Sequence, residues 1–401
     1  MSRNHPMLVL VLLAFALAPV RARAEEYEAA AVLKASKILP PELLKSAFHT
    51  VREEVKTDGL LHQFQVESEF GLFECDGMRM LRIRVHEIGV LGTVFEKEKG
   101  NEFFKGLGGR LVQTLTLPVK LVTDPAGTVK AVGRGVGKTI KKIGGLFRKR
   151  EKGEQEDSGV RALLVSQEKR KLAAELGVDP YSTNPKVQEF LNAVADRRAA
   201  GTLVWDVGMM FVPGGAGVAL GAASSSANMM EVLRDNSPTE LFVLNEKKLK
   251  KMGIEATLIQ AFLNQVHLSP RHQTVIVAAL EEMEGVGGRA TLLTAALDAE
   301  KESEALFHEA RAQQLARWHK EIDPLASLEA VHELPVSTTK EGRRLVLLPV
   351  DSFPWAEETA AIVEGLAEGG GKWTLAVTGT LTERARKETA GRGFVVREAL
   401  E

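Results

Sequence analysis

Cysteine is almost missing from this chain. Cys75 stands alone among 401 residues, which excludes an intrachain disulfide. A chain of this length buries enough apolar surface to fold without covalent staples. Cys75 sits in GLFECDGM, toward the end of an expected short strand. No neighbouring feature argues for a lowered thiol pKa, so it reads as a buried, inert side chain. Aromatic residues are also scarce, at 5% of the sequence. Excess charge is missing too: the formal net charge is −1. Nucleic-acid binding needs a basic surface with rings on which bases stack, so these two shortages argue against it.

The familiar catalytic signatures are absent. There is no G-x-S-x-G nucleophile elbow and no H-E-x-x-H. Ser166–Lys169 and Ser337–Lys340 fit S-x-x-K, without the S-D-N and K-T-G companions that give that pattern meaning. His308 and His319 lie eleven residues apart with Glu304 one turn before His308, which reads as a polar helix face. No metal, cofactor or catalytic residue is expected. No apolar run is long enough for a simple membrane span. Met7–Val20 falls short of the roughly 20 residues required, and 201–223 is broken by Pro213-Gly214-Gly215 and carries Asp206. That second stretch reads as a buried helical hairpin, with a membrane-inserting hairpin as the alternative.

What is present begins with an export signal. Arg3, the apolar run Met7–Val20 and Ala22-Arg23-Ala24 give the charged start, core and cleavage pattern of a signal peptide over residues 1–24. Removing Arg3, Arg21 and Arg23 leaves a mildly acidic chain, expected in the periplasm or outside the cell. Against that background, DPAGTVKAVGRGVGKTIKKIGGLFRKR (124–150) stands out. Lys130, Arg134, Lys138, Lys141, Lys142, Arg148, Lys149 and Arg150 occur with no acid between Asp124 and Glu151. Val129, Val132, Val136, Ile140, Ile143 and Phe147 recur at helical steps. A basic amphipathic helix of this kind lies on an anionic surface or packs on a partner. Gly137-Lys138-Thr139 imitates a phosphate loop, but the glycine required five residues earlier is Val132. No nucleotide is expected.

The coarse reading is α+β and predominantly helical. Residues 25–56 read as helical, with Pro40-Pro41 opening an amphipathic segment over Glu42–Val55. LLHQFQVES and FGLFEC suggest a small hairpin within an N-terminal region spanning 25–123. The basic segment and a polar linker occupy 124–159, and a helical domain spans 160–333. KLAAELGVD with VQEFLNAV echoes KLKKMGIE with IQAFLNQV, as two similar two-helix units. Residues 334–401 alternate strand and helix, implying a small parallel βαβαβ unit that the helical part must cover.

DPAGTVKAVGRGV, LGVDPYSTNP, LSPRHQT and VTGTLTERARKETAGRGF resemble signatures of a family of uncharacterised exported bacterial proteins. The resemblance spans most of the chain after residue 24, and implies no activity, cofactor or site residue.

Two functional expectations follow. The first is a non-enzymatic envelope protein whose basic tract meets anionic lipid or an acidic partner, placing it at the periphery of a membrane. The second is an enzyme or small-ligand binder at the C-terminal strand ends, where parallel sheets hold ligands near helix N-termini. Asp351, Ser352, Thr378 and Thr380 mark that position. A structural role competes there, with Ser352 capping one helix and Thr380-Leu-Thr-Glu383 forming a capping box for the next.

Overall fold

Three helices open with a polar cap followed by proline: Asn184-Pro185, Ser237-Pro238 and Ser269-Pro270. The cap side chain accepts an otherwise orphaned N–H, and proline at the first helical position has no N–H to orphan. Such local signals set the boundaries within a computed structural model that describes residues 27–113, 160–205, 207 and 226–400. The basic residues Lys130 through Arg150 and most of the apolar stretch 201–223 lie outside the described residues.

The described chain opens with β1 (Leu33–Lys34), α1 (Ala35–Ile38) and α2 (Pro41–Leu44). Then come β2 (His49–Val51), β3 (Glu54–Thr57), β4 (His62–Ser68) and β5 (Gly71–Asp76). β4 is the centre of a five-stranded antiparallel sheet. β5 pairs along one edge, while β2 and β3 share the other and β1 extends beyond β3. The helix expected over Glu42–Val55 is therefore a correction: only its first turn forms. His49 and Val51 face inward and Thr50 outward, an alternation too short to outvote helical spacing in sequence. Pairing with β4 decides it. β4 and β5 pair antiparallel over six residue pairs within this larger sheet.

α3 (Met78–Lys97) and α4 (Glu102–Gln113) follow. α3 is buried almost all round, with Leu81, Val85, Ile88, Leu91 and Val94 in one core with Phe64 and Val66 of the sheet. At Gly92 an added Cβ would lie 2.3 Å from the Phe48 ring, so only glycine permits this approach.

Among the described residues, eight helices carry the middle of the chain: α5 (Val160–Leu176), α6 (Pro185–Ala199), α7 (Ser226–Asp235), α8 (Pro238–Lys251), α9 (Ala256–Leu263), α10 (Pro270–Glu282), α11 (Ala290–Ala296) and α12 (Glu302–Arg317). The sequence echo has a structural counterpart in the helix stops. Gly177 and Gly253 adopt φ of +67° and +75°. The next N–H in each case bonds back five residues, Val178 to Ala173 at 2.9 Å and Ile254 to Leu249 at 3.1 Å. Both are glycine-terminated helix ends of one geometry. Among the described residues no helix is long and apolar enough to cross a membrane.

The C-terminal part comprises β6 (Leu325–Val331), β7 (Leu334–Thr339), β8 (Arg344–Leu348), β9 (Ser352–Phe353) and α13 (Glu357–Glu368). It ends with β10 (Trp373–Val377), β11 (Thr380–Leu381), α14 (Glu383–Gly391) and β12 (Phe394–Arg397). Its main sheet runs β12-β10-β8-β7-β6. β8, β10 and β12 are parallel, but β7 and β6 are antiparallel, so the sheet is mixed. The expected boundary at 333/334 cuts the β6–β7 hairpin. LASLEAV is rich in helix formers, and its pairing with β7 overrides that preference. β8 is apolar on both faces: Leu345 and Leu347 join the core of α9–α12, while Val346 and Leu348 join α13 and α14. The helical part does cover the sheet's second face.

Candidate functional site

The strand ends flagged by topology are filled by the chain itself. The Asp351 carboxylate accepts the His62 N–H at 2.9 Å and the Met78 N–H at 3.0 Å, so it caps α3 across 273 residues of sequence. Burial pushes its carboxyl above the usual aspartate range, against the pull of those two N–H groups and the His62 imidazole. Ser352 Oγ donates to the Gly59 carbonyl at 3.2 Å, and Thr378 Oγ1 to that of Val350 at 2.7 Å. Gly379 packs so tightly that a Cβ would sit 1.8 Å from the Asp351 carbonyl oxygen. Thr380 stays exposed, tied by its backbone N–H to Asp351. Thr378 thus bonds the backbone of Val350 while the Asp351 carboxylate turns to His62 and Met78, and among the described residues no hydrogen bond joins the two side chains. The expected capping residues shift as well: Ala356 and Thr382 are the N-caps of α13 and α14.

A second polar region was not legible as a site in sequence. DPYSTNP and SPRHQT, far apart in the chain, converge with one face of α3 and one of α12. Arg271 makes a bidentate pair with Glu309, at 2.8 and 2.9 Å, and Arg79 reaches the same carboxylate at 2.5 Å. Arg84 bonds Glu87 at 2.9 Å, Thr183 at 2.6 Å and Glu302 at 2.5 Å. Asn184 Nδ2 and Ser182 Oγ both donate to Glu87. Three guanidiniums thus meet the carboxylates of Glu87, Asp179, Glu302 and Glu309. Burial pushes the Asp179 carboxyl up to about 6, opposed by Arg271. His272 is lowered to about 4 by burial. Its neutral ring accepts the Ser269 N–H at Nδ1, 3.2 Å away, which closes the cap of α10. The void among these groups is about 10 Å³, space for roughly one water. The arrangement is a matched internal network and not a substrate pocket.

The larger opening lies elsewhere at the same end of the C-terminal sheet. β7 runs antiparallel to β8, so its first residue, Leu334, lies where β8 finishes. Beside it is a cavity of about 300 Å³, walled by Leu60, Leu334, Ala361, Ile362 and Leu366. Asp58, His332, Glu358 and Thr359 supply its polar atoms. Thr359 Oγ1 is already bonded to Pro354 and Ala356, and Asp58 Oδ1 accepts the N–H groups of Leu60 and Leu61. His332 and Glu333 form the two-residue turn between β6 and β7, with φ of +45° and +72°. A turn of this hand favours Asn-Gly, so His-Glu holds roughly 1 kcal/mol or more of strain per residue. The imidazole lies over Gly365 of α13, whose added Cβ would be 3.5 Å from it.

Among the described residues no group of three or more His, Cys, Asp or Glu side chains could hold a metal ion. Comparison with family models, curated proteins and solved structures finds no match to this chain.

Proposed function

We propose that this chain is an exported, non-enzymatic binding protein that holds a small, mainly apolar ligand, neutral or cationic, beside α13. We also read β4–β5 as the N-terminal hairpin and β8–α13–β10–α14–β12 as a parallel unit whose carboxyl edge carries the site. One observation supports the reading above others: a cavity of about 300 Å³ with apolar walls and two carboxylates at its rim. Ligand sites are characteristically apolar concavities with few polar groups, and this volume is at their lower end. The first turn of α13 carries Glu357 and Glu358, which neutralise the helix's attraction for anions. The strain at His332 supports the same place, since such backbone is kept where the surroundings use it. No nucleophile and base are paired at the wall, which favours binding over catalysis.

Nile red, a neutral apolar dye, tests this reading. Saturable one-to-one binding is expected in the full chain and should be lost in Ala361→Trp, which fills the cavity from an exposed helix position. Undiminished binding in that variant, with its melting midpoint unchanged, would contradict it.

A second reading rests on the sequence of the tract at 124–150, whose eight cations are unopposed by any acid. Each Lys or Arg near an anionic membrane contributes about 1 kcal/mol, so this segment could bring the binding protein to a lipid surface. Co-sedimentation with anionic but not neutral vesicles, lost when the tract's lysines become glutamines, is the expected result. Equal pelleting with both vesicles would remove this reading and leave the cavity untouched.

A further inference from the structure

Arg311, on α12, is a buried guanidinium without an acid. Its side chain is 3% exposed, and its Nε has no hydrogen-bond partner. Its cation lies 4.4 Å from the centroid of the Phe307 ring, one turn earlier. His308 is three residues before Arg311 and so projects from the same helix face. Its ring meets Phe307 edge to face at 5.5 Å. Among the described residues neither Arg311 nor His308 has a hydrogen-bonding or ionic partner. The nearest anion along the helix in that direction, Glu304, lies two turns back and accepts the Glu300 N–H at 2.7 Å. Glu309 is taken by Arg271 and Arg79 on another side of the helix. An arginine does not shed its proton, so burial leaves a full positive charge uncompensated.

We propose that Arg311 and His308 form a binding site for a small oxyanion, a carboxylate or phosphate group. The guanidinium presents paired N–H donors that match two oxygens of such a group, and the Phe307 ring fixes its plane. The imidazole, partly exposed, supplies a further donor and marks the side of entry. Both side chains are held low or uncompensated by the same lack: burial depresses His308 to about 3, with Arg311 adding repulsion. A bound anion relieves both effects. The site is separate from the apolar cavity, whose acidic rim disfavours anions.

Thermal denaturation of the full chain at constant ionic strength, in sodium phosphate, acetate or chloride, tests the site. The midpoint is expected to rise and saturate with phosphate, acetate or both, which distinguishes the two sources of the oxyanion group. Arg311→Met should bind about tenfold or more weakly, the change expected for loss of one charge-assisted hydrogen bond. Arg311→Lys, which keeps the charge without the fork, gives a second variant should the first fail to fold. His308 ring resonances should move on titration while those of His319 stay fixed. No rise with either oxyanion, an equal rise with chloride, or an equal rise in both Arg311 variants would each overturn the proposal.

Discussion

The junction of α3, α10 and α12 is polar yet closed, whereas the carboxyl edge of the C-terminal sheet is apolar yet open. At the junction every buried guanidinium has carboxylates beside it: Arg271 and Arg79 share Glu309, and Arg84 sits between Glu87 and Glu302. The charges answer one another and leave space for about one water. At the sheet edge the walls are leucine, isoleucine and alanine; His332 and Glu358 are exposed there, whereas Thr359 is buried with its hydroxyl already bonded. Perturbed protonation alone would have pointed to the first region as the site. Shape and unfilled volume favour the second in the reading proposed above, in which charge burial belongs to construction and the open cavity to binding. Arg311 sharpens the contrast, being as buried as Arg271 but lacking its answering acid.

The largest expected effect comes from breaking the matched network. Arg271→Met leaves Glu309 and Asp179 short of a counter-charge and should cost about 3–5 kcal/mol in urea denaturation. Dye binding in the folded fraction should stay as it was. A loss below about 1 kcal/mol would show that the junction does not hold the fold together.

A smaller effect is expected from pH. The folded-state Asp179 carboxyl lies at about 6 against an ordinary 3.8, so folding favours its protonated form. That contribution is complete below about 3.8 and is lost as pH rises through about 6. Compared with Asp179→Asn, the wild type should therefore lose on the order of 2 kcal/mol between pH 4 and 7. Buried His272 works in the opposite sense and cancels from this difference. A constant gap between the two proteins across that range would contradict the assignment.

The smallest effect is at the cavity mouth. Replacing His332 and Glu333 by Asn and Gly gives the turn its preferred residues, and should stabilise the fold by about 1–2 kcal/mol. The same change should weaken dye binding, because it removes the imidazole from the rim. Stabilisation with unaltered binding would assign the strained turn no part in the site.

Much of the architecture can be read from the residues. Glycine stops at Gly177 and Gly253, the Ser-Pro and Asn-Pro helix starts, and the continuous apolar run of β8 are local signals with local causes. Where local preference and pairing disagree, the sequence misleads: His49–Val55 and Leu325–Val331 look helical until a partner strand is supplied. The site was harder to read. The strand-end rule points to the edge of the sheet beside which the cavity opens, but Asp351 and Ser352 there serve to dock the N-terminal sheet. The cavity wall joins residues from near 60, 334 and 362, a convergence that no spacing in the chain encodes. DPYSTNP and SPRHQT were visible as distinctive segments, and their shared place beside α3 and α12 is a property of the fold alone.

The central claim is that the open cavity selects an apolar body and rejects an anionic head. Calorimetric titration of the full chain with octylamine and with octanoate, equal in alkyl length and opposite in charge, tests it most directly. The account predicts that the amine binds one-to-one and at least about tenfold more tightly, and that Ala361→Trp abolishes its binding. Octanoate binding as tightly as octylamine, with both insensitive to Ala361→Trp, would contradict it.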